Sequence, residues 1–152
     1  MVGDAGRRSR IVEEVEAIYA WLDQQLEQDP ERSGRCAECG ACCDFAAYDH
    51  RLYVTLPEII YLTSKLGRER LKKMTSTRCP YQQERSCAIH EHRFSGCRIF
   101  CCKGDVVFQN DLSESVIARL KSLCERFNLP YRYMELSAAL ATDLSDIDLS
   151  VE

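Results

Sequence analysis

The sequence lacks several features that would define its class at once. It has no apolar run of the length that a bilayer span needs, which argues against a membrane protein. Its net charge of −4 comes without any block of like charge, so nothing favours a nucleic-acid surface. The opening residues, MVGDAGRRSRIVEEV, have neither the apolar stretch nor the cleavage site of a secretory signal. We therefore expect a cytoplasmic protein whose thiols stay reduced.

Common catalytic patterns are missing as well. The sequence has no Gly-rich nucleotide turn, no Ser-His-Asp arrangement and no carboxylate pair at a suggestive spacing. What remains is an ordinary globular composition, with 45% hydrophobic and 29% charged residues among 152. A chain of this length can bury its own core, and we expect residues 1–152 to form a single domain.

The residue in excess is cysteine, of which the chain has ten. Four lie in CAECGACC at 36–43, and five more lie between 79 and 102. A reducing compartment disfavours disulfides, and neighbours such as Cys42 and Cys43 are poorly placed to bridge each other. A redox-reactive thiol patch is another alternative, although a thioredoxin-like motif would need a βαβ context that the sequence does not predict.

A metal site accounts best for the spacing Cys-x2-Cys-x2-Cys-Cys. A Cys-x2-Cys turn lets two thiolates converge on one ion, and Gly40 allows the backbone angles that such a turn often needs. Four thiolates on one divalent zinc would leave a net charge of about −2. Arg93 and Arg98 flank Cys97 and are the natural groups to offset that charge.

The rest of the pattern predicts a mainly α fold. We expect a small helical domain in which two cysteine-rich irregular loops, with room for one short hairpin, are organised around a metal site. Apolar residues recur at helical spacing over 8–28, and Asp29-Pro30 would end that helix. Alternation over 51–56 predicts a short strand, after which Thr55 could cap a helix that Gly67 interrupts.

The C-terminal third, about 113–142, is predicted to hold a strong helix that Asp111 starts and Asn128-Leu129-Pro130 stops, and a last helix over about 132–142. Asp111 and Glu114 have the spacing of a capping box, and 106–108 is expected to form a short strand before it. Cys124 lies on the apolar face of this helix and is expected to pack in the core. The other residues expected inside are Ile18, Leu22, Ile59, Ile60, Leu62, Leu120, Leu123 and Phe127.

The stretches CAECGACC and CPYQQERSCAIHEHRFSGCRIFCC resemble the CxxCxxCC cysteine-cluster family, also called the YkgJ family. The resemblance covers about 36–103 and implies a zinc- or iron-chelating domain. The thiols that it implies as ligands are those of Cys36, Cys39, Cys42, Cys43, Cys79, Cys87, Cys97 and Cys102.

The chain departs from the family pattern at three positions. His90 stands where an aromatic residue is usual, Phe94 replaces a proline, and Cys101 replaces an aromatic residue. These changes leave open whether Cys101 or Cys102 is the ligand and whether His90 adds one. Otherwise His50, His90 and His92 are interpreted as solvated or hydrogen-bonded histidines.

Spacing does not choose the metal. Two zinc sites, one four-iron cluster with a zinc, or a bridged pair all fit eight thiols, so zinc, iron and an iron–sulfur cluster stay open. If each site has four cysteines, no open position remains for a substrate, which favours a non-enzymatic structural, carrier or partner-binding role. The alternative is an iron–sulfur redox or methyltransferase-associated enzyme component, since some relatives carry the motif inside larger proteins such as flagellin lysine methyltransferases. The sequence names no protein partner.

Overall fold

The computed structural model describes residues 4–34, 52–67, 72–74, 76, 78–83, 86–100 and 104–141. These residues are mainly helical, which confirms the predicted fold class at that level. In chain order the elements are α1 (Asp4–Gln28), α2 (Pro30–Ser33), β1 (Tyr53–Thr55), α3 (Leu56–Leu66), β2 (Gln82–Gln83), β3 (Ser86–Cys87), a 3₁₀ turn (His90–His92), α4 (Ser95–Ile99), α5 (Val106–Arg126), β4 (Tyr133–Glu135) and α6 (Leu136–Leu140).

The hydrophobic core lies where α1 packs against α3 and α5. Each of these helices has an apolar stripe, and two such stripes are stable in water only when they bury against another element. The expected core is confirmed except at Phe127, which is only partly buried. The confirmed core residues are Ile18, Leu22, Ile59, Ile60, Leu62, Leu120, Leu123 and Cys124.

Two polar contacts join α1 to the far end of α5. Arg7 is buried, and its Nη2 donates to the carbonyl oxygen of Phe127. About two turns further along α1, Glu14 pairs with Arg126 at 2.9 Å. This ion pair lowers the pKa of Glu14, because the carboxylate accepts from the guanidinium. The two long helices are therefore held in register by side chains as well as by apolar packing.

The beginning and end of α3 follow the predicted signals. Thr55 is the N-cap residue, and both its backbone N–H and its hydroxyl donate to Oε1 of Glu58, at 3.3 and 3.0 Å. The helix ends at Gly67, whose φ of 85° lies in the left-handed region that glycine adopts without steric cost. After α1, Asp29 caps the short helix α2, with Pro30 in its first turn.

The predicted start of the C-terminal helix at 111–113, and the strand at 106–108, are wrong. Helix α5 begins at Val106 because Asp105 caps it, accepting from the N–H of Phe108 at 2.8 Å. The valines that suggested a strand lie in the first helical turn, where both are exposed. A local capping bond here outweighs the strand preference of two β-branched residues.

The predicted stop at Asn128-Leu129-Pro130 is confirmed, since α5 ends at Arg126. The last helix, predicted over about 132–142, is shorter, because β4 occupies Tyr133–Glu135 and α6 covers only Leu136–Leu140. After α5, Asn128 adopts a φ of 54° and the chain turns back at Pro130. Strand β4 then pairs antiparallel with β1, with Val54 opposite Met134. This pairing could not be read locally, because β1 lies about 80 residues earlier in the sequence. Within the part of the chain that is described, no helix is long and apolar enough to cross a membrane.

Candidate metal centre

Two of the predicted ligand cysteines lie at the base of one hairpin. Strands β2 and β3 pair antiparallel, and Gln82 stands opposite Cys87. The same Gln82 donates its backbone N–H to the carbonyl of Cys79 at 3.2 Å, and Ala88 N–H donates to Tyr81 O at 2.8 Å. Neighbouring strands are about 5 Å apart, so the hairpin holds the backbones of both cysteines beside one residue. This is the short hairpin for which the sequence left room.

Cys79 is buried, and the aromatic ring that follows it in the sequence is buried too. Tyr81 is 3% exposed, and its hydroxyl accepts the backbone N–H of Lys72 at 2.8 Å. Burial raises the pKa of Tyr81, the bond from Lys72 opposes that rise, and negative charge on Cys79 adds to it. Cys79 therefore lies close enough to Tyr81 for a thiolate to act on the phenol.

The third predicted ligand within the described residues is Cys97, which lies half-buried in the middle of α4. This short helix packs closely on the start of the β1 segment. A Cβ atom on Gly96 would lie 2.6 Å from Cδ1 of Leu52, so a larger residue there would push the two apart. The glycine before Cys97 thus permits the close approach of α4 to the core.

A buried carboxylate ties α4 to the rest of the fold. Glu58 of α3 is 1% exposed, and its Oε2 accepts the backbone N–H of Ser95 at 2.7 Å and the hydroxyl of Tyr19 at 2.9 Å. With the two bonds from Thr55 to Oε1, four donors surround this one group. Burial first, and then Glu58, raise the pKa of Tyr19 well above its ordinary value.

Sequence reasoning missed Glu58. Thr55 is a recognisable cap, and Glu58 stands three residues later, where a capping box places a glutamate. That spacing was the available signal for an acidic residue at this point. The contact with Ser95, 37 residues further along, leaves no trace in the sequence.

Arg98, predicted to offset thiolate charge, makes four other contacts. Its side chain is 6% exposed, Nη1 pairs with Asp23 at 2.9 Å, and the guanidinium carbon lies 4.2 Å from the ring centre of Tyr19. Nε donates to the carbonyl of Arg93 at 2.8 Å, and Nη2 to that of Glu91 at 3.0 Å. These contacts fix the segment before Cys97. A role for Arg93 and Arg98 toward a metal–thiolate group stays a prediction.

The histidine and the cysteine that were set apart from the metal site behave as interpreted. His92 has its Nδ1 3.2 Å from the hydroxyl of Tyr61, and the two rings meet edge to face. Cys124 is 1% exposed in the core between the helices, and burial raises the pKa of its thiol to about 11. His50 lies outside the described residues, and whether the His90 side chain is a ligand stays a prediction.

The first cysteine loop and the end of the second lie outside the described residues. The predicted meeting of the two loops in space, and the choice between the last two cysteines, fall there too. Among the residues that are described, no group of three or more His, Cys, Asp and Glu side chains is placed to hold a metal ion. The predicted ligands that lie outside are Cys36, Cys39, Cys42, Cys43 and Cys102, together with the alternative Cys101.

The donors that are described suit zinc or iron by their chemistry. Cys79, Cys87 and Cys97 are buried or half-buried, and thiolate sulfur is a soft ligand that both metals accept in proteins. A hairpin and a short helix, each anchored by hydrogen bonds, supply thiols from fixed backbone. Because no three described side chains are placed to share one metal ion, a four-coordinate site would need at least two further donors from elsewhere in the chain.

A helical framework with cysteines on a hairpin and a short helix describes a small cysteine-cluster domain. The family model CxxCxxCC, described as "Putative zinc- or iron-chelating domain", matches residues 35–125, a stretch that contains all ten cysteines. The chain therefore belongs to the CxxCxxCC family. Neither a curated protein nor a solved structure matches it.

Proposed function

We propose that this chain binds zinc or iron through cysteine thiolates and serves a structural, carrier or partner-binding role. The observation that carries the proposal is the family match, because it spans every cysteine of both loops. The proposed ligands are those that the resemblance implied: Cys36, Cys39, Cys42, Cys43, Cys79, Cys87, Cys97 and Cys102.

The backbone around the described cysteines supports this proposal. The hairpin sets Cys79 and Cys87 on either side of Gln82, and α4 is fixed by bonds from Glu58 and Arg98. These contacts reduce, without removing, the conformational freedom that the ligands lose when a metal binds. When bound, zinc would cross-link the loops, and a redox-active iron centre would add electron transfer.

The test is metal-to-protein stoichiometry by elemental analysis, on protein purified without air. We expect Cys39→Ser and Cys97→Ser to lose metal and stability, since a structural zinc can supply about 10 kcal/mol to folding. Cys124→Ala is the matched control, because it removes a core thiol and should keep the full metal content. Equal metal loss in all three variants would contradict the ligand assignment.

Colour separates the two functional classes. A colourless protein that holds zinc supports the structural or carrier role. A brown protein that absorbs in the visible blue would favour the alternative of an iron–sulfur redox or enzyme component. Wild-type protein with no zinc and no iron at stoichiometric levels would overturn the proposal as a whole.

A further inference from the structure

The contacts of Glu58 reach from the hydrophobic core to the segment that carries a proposed ligand. Ser95, whose N–H it accepts, lies two residues before Cys97 on the same short helix. The other partner of Oε2 is the hydroxyl of Tyr19. The guanidinium of Arg98, the residue after Cys97, lies over the Tyr19 ring. Helix α4 is therefore held on both sides of its cysteine by one connected group of side chains.

We propose that Glu58 is a positioning residue for the metal centre: it sets the place of Cys97 by holding the start of α4 against α1 and α3. The inference rests on the proposed function, since it takes Cys97 as a ligand. It goes beyond that function by giving a buried residue outside the cysteine loops control over how tightly, and in what geometry, a metal is bound. Groups that orient metal ligands commonly contribute tenfold or more to affinity, as an order of magnitude.

The hydrogen-bond pattern shows why no neutral amide can replace this carboxylate. Oε1 faces the backbone N–H of Thr55, and Oε2 faces the backbone N–H of Ser95. Glu58→Gln must turn its NH₂ group toward one of these two donors, because an amide has only one acceptor oxygen. One buried backbone N–H then loses its acceptor whichever way the amide is oriented. A neighbouring hydroxyl can turn and accept a hydrogen bond from the NH₂ group, but a backbone N–H can only donate.

The experiment titrates Co²⁺ into the metal-free full-length chain without air, then measures Zn²⁺ affinity by competition. Co²⁺ reports thiolate ligands by a charge-transfer band and site geometry by its visible bands. We expect Glu58→Gln to weaken Zn²⁺ binding by about tenfold and to shift the visible Co²⁺ bands. Tyr19→Phe, which removes one donor and adds no new group, should change both in the same direction but less.

Two controls separate positioning from general loss of stability or charge. Glu16→Gln makes the same chemical change on a half-exposed carboxylate that pairs with Lys65 instead. Ile11→Ala weakens the core two turns before Tyr19, about 12 Å along α1. Both variants should keep the wild-type Co²⁺ bands and a Zn²⁺ affinity within about twofold of wild type, even where the melting temperature falls.

The outcomes distinguish this inference from the function on which it rests. If Cys97→Ser leaves the Co²⁺ charge-transfer band unchanged, Cys97 is not a ligand. The ligand assignment of Cys97 and the positioning role of Glu58 are then both wrong. If Cys97→Ser weakens the band while Glu58→Gln and Tyr19→Phe match wild type, only the positioning role is overturned. Should Glu58→Gln fail to fold, Tyr19→Phe decides, and a Tyr19→Phe variant with wild-type bands and affinity overturns the inference.

Discussion

At the scale of single residues, Cys124 is a cysteine that the sequence assigned to the core and not to a metal. It is buried among apolar side chains of the long helices, and burial raises the pKa of its thiol from 9.0 to about 11. A raised pKa means that the folded chain keeps this proton at a pH where the unfolded chain releases it. Its contribution to stability is therefore complete below pH 9 and is lost as the pH rises toward 11.

This shift predicts a crossover in stability. At pH 8, Cys124→Ala should be less stable than wild type by about 1 kcal/mol, through lost packing. Between pH 9 and 11 the free energy of unfolding of the wild type should fall by roughly 2 to 3 kcal/mol. The variant has no thiol at this position and shows no such fall, so the order of stability reverses. Urea unfolding at pH 8 and 10.5 measures this. Val116→Ala, a core truncation on the same helix without a titratable group, should keep a constant deficit, and a constant deficit for Cys124→Ala would refute the prediction.

At the scale of elements, the sequence pattern and the structure place the start of α5 at different residues. The sequence pattern placed the cap at Asp111, whereas Asp105 accepts the N–H of Phe108 and Asp111 is an exposed residue inside the helix. We expect Asp105→Ala to lower the free energy of unfolding by about 1 kcal/mol. Asp111→Ala should change it by less than about 0.5 kcal/mol, since alanine favours helix interiors.

Thermal or urea unfolding of both variants, monitored by far-UV circular dichroism, tests this prediction. Asp105→Asn is the conservative control, because asparagine caps helices about as well as aspartate. A larger loss in Asp111→Ala than in Asp105→Ala would mean that the helix begins at Asp111 after all.

The elements that were predicted well are those whose signals are local. Thr55 and Gly67 mark the ends of α3, and the period of apolar residues marks α1. One misplaced element depends on a distant partner: β4 exists because β1 is there to pair with it. Its sequence, with Tyr133 and Met134, suits a helix or a strand equally in isolation, so only tertiary contacts decide.

The candidate site shows the same difference between local signals and distant partners. Cysteine spacing singled out the thiols, because a metal needs several ligands and the ligands leave a spacing in the sequence. Glu58 and Tyr19, whose hydrogen bonds hold the start of α4, lie on two helices that precede Cys97 in the chain. Nothing in a single sequence connects them to α4, so the support around a site is harder to predict than the site itself.

At the scale of the whole molecule, the long helices differ in length from the short elements that carry Cys87 and Cys97. Helices α1, α3 and α5 bury their stripes against one another, and most of their stability comes from that packing. The hairpin and α4 are short, and isolated elements of such length are marginal in water. Metal removal should therefore affect the two parts unequally.

We expect a chelator that strips the metal to leave most of the far-UV helical signal, while hydrogen exchange speeds up at the hairpin and α4. The long helices should exchange only slightly faster, because their protection comes from apolar burial that needs no metal. Adding Zn²⁺ back should restore slow exchange at 86–100, and Cys97→Ser should show fast exchange there with or without Zn²⁺. Complete loss of the helical signal on chelation would show instead that the metal organises the whole chain, as it does in domains too small to fold without one.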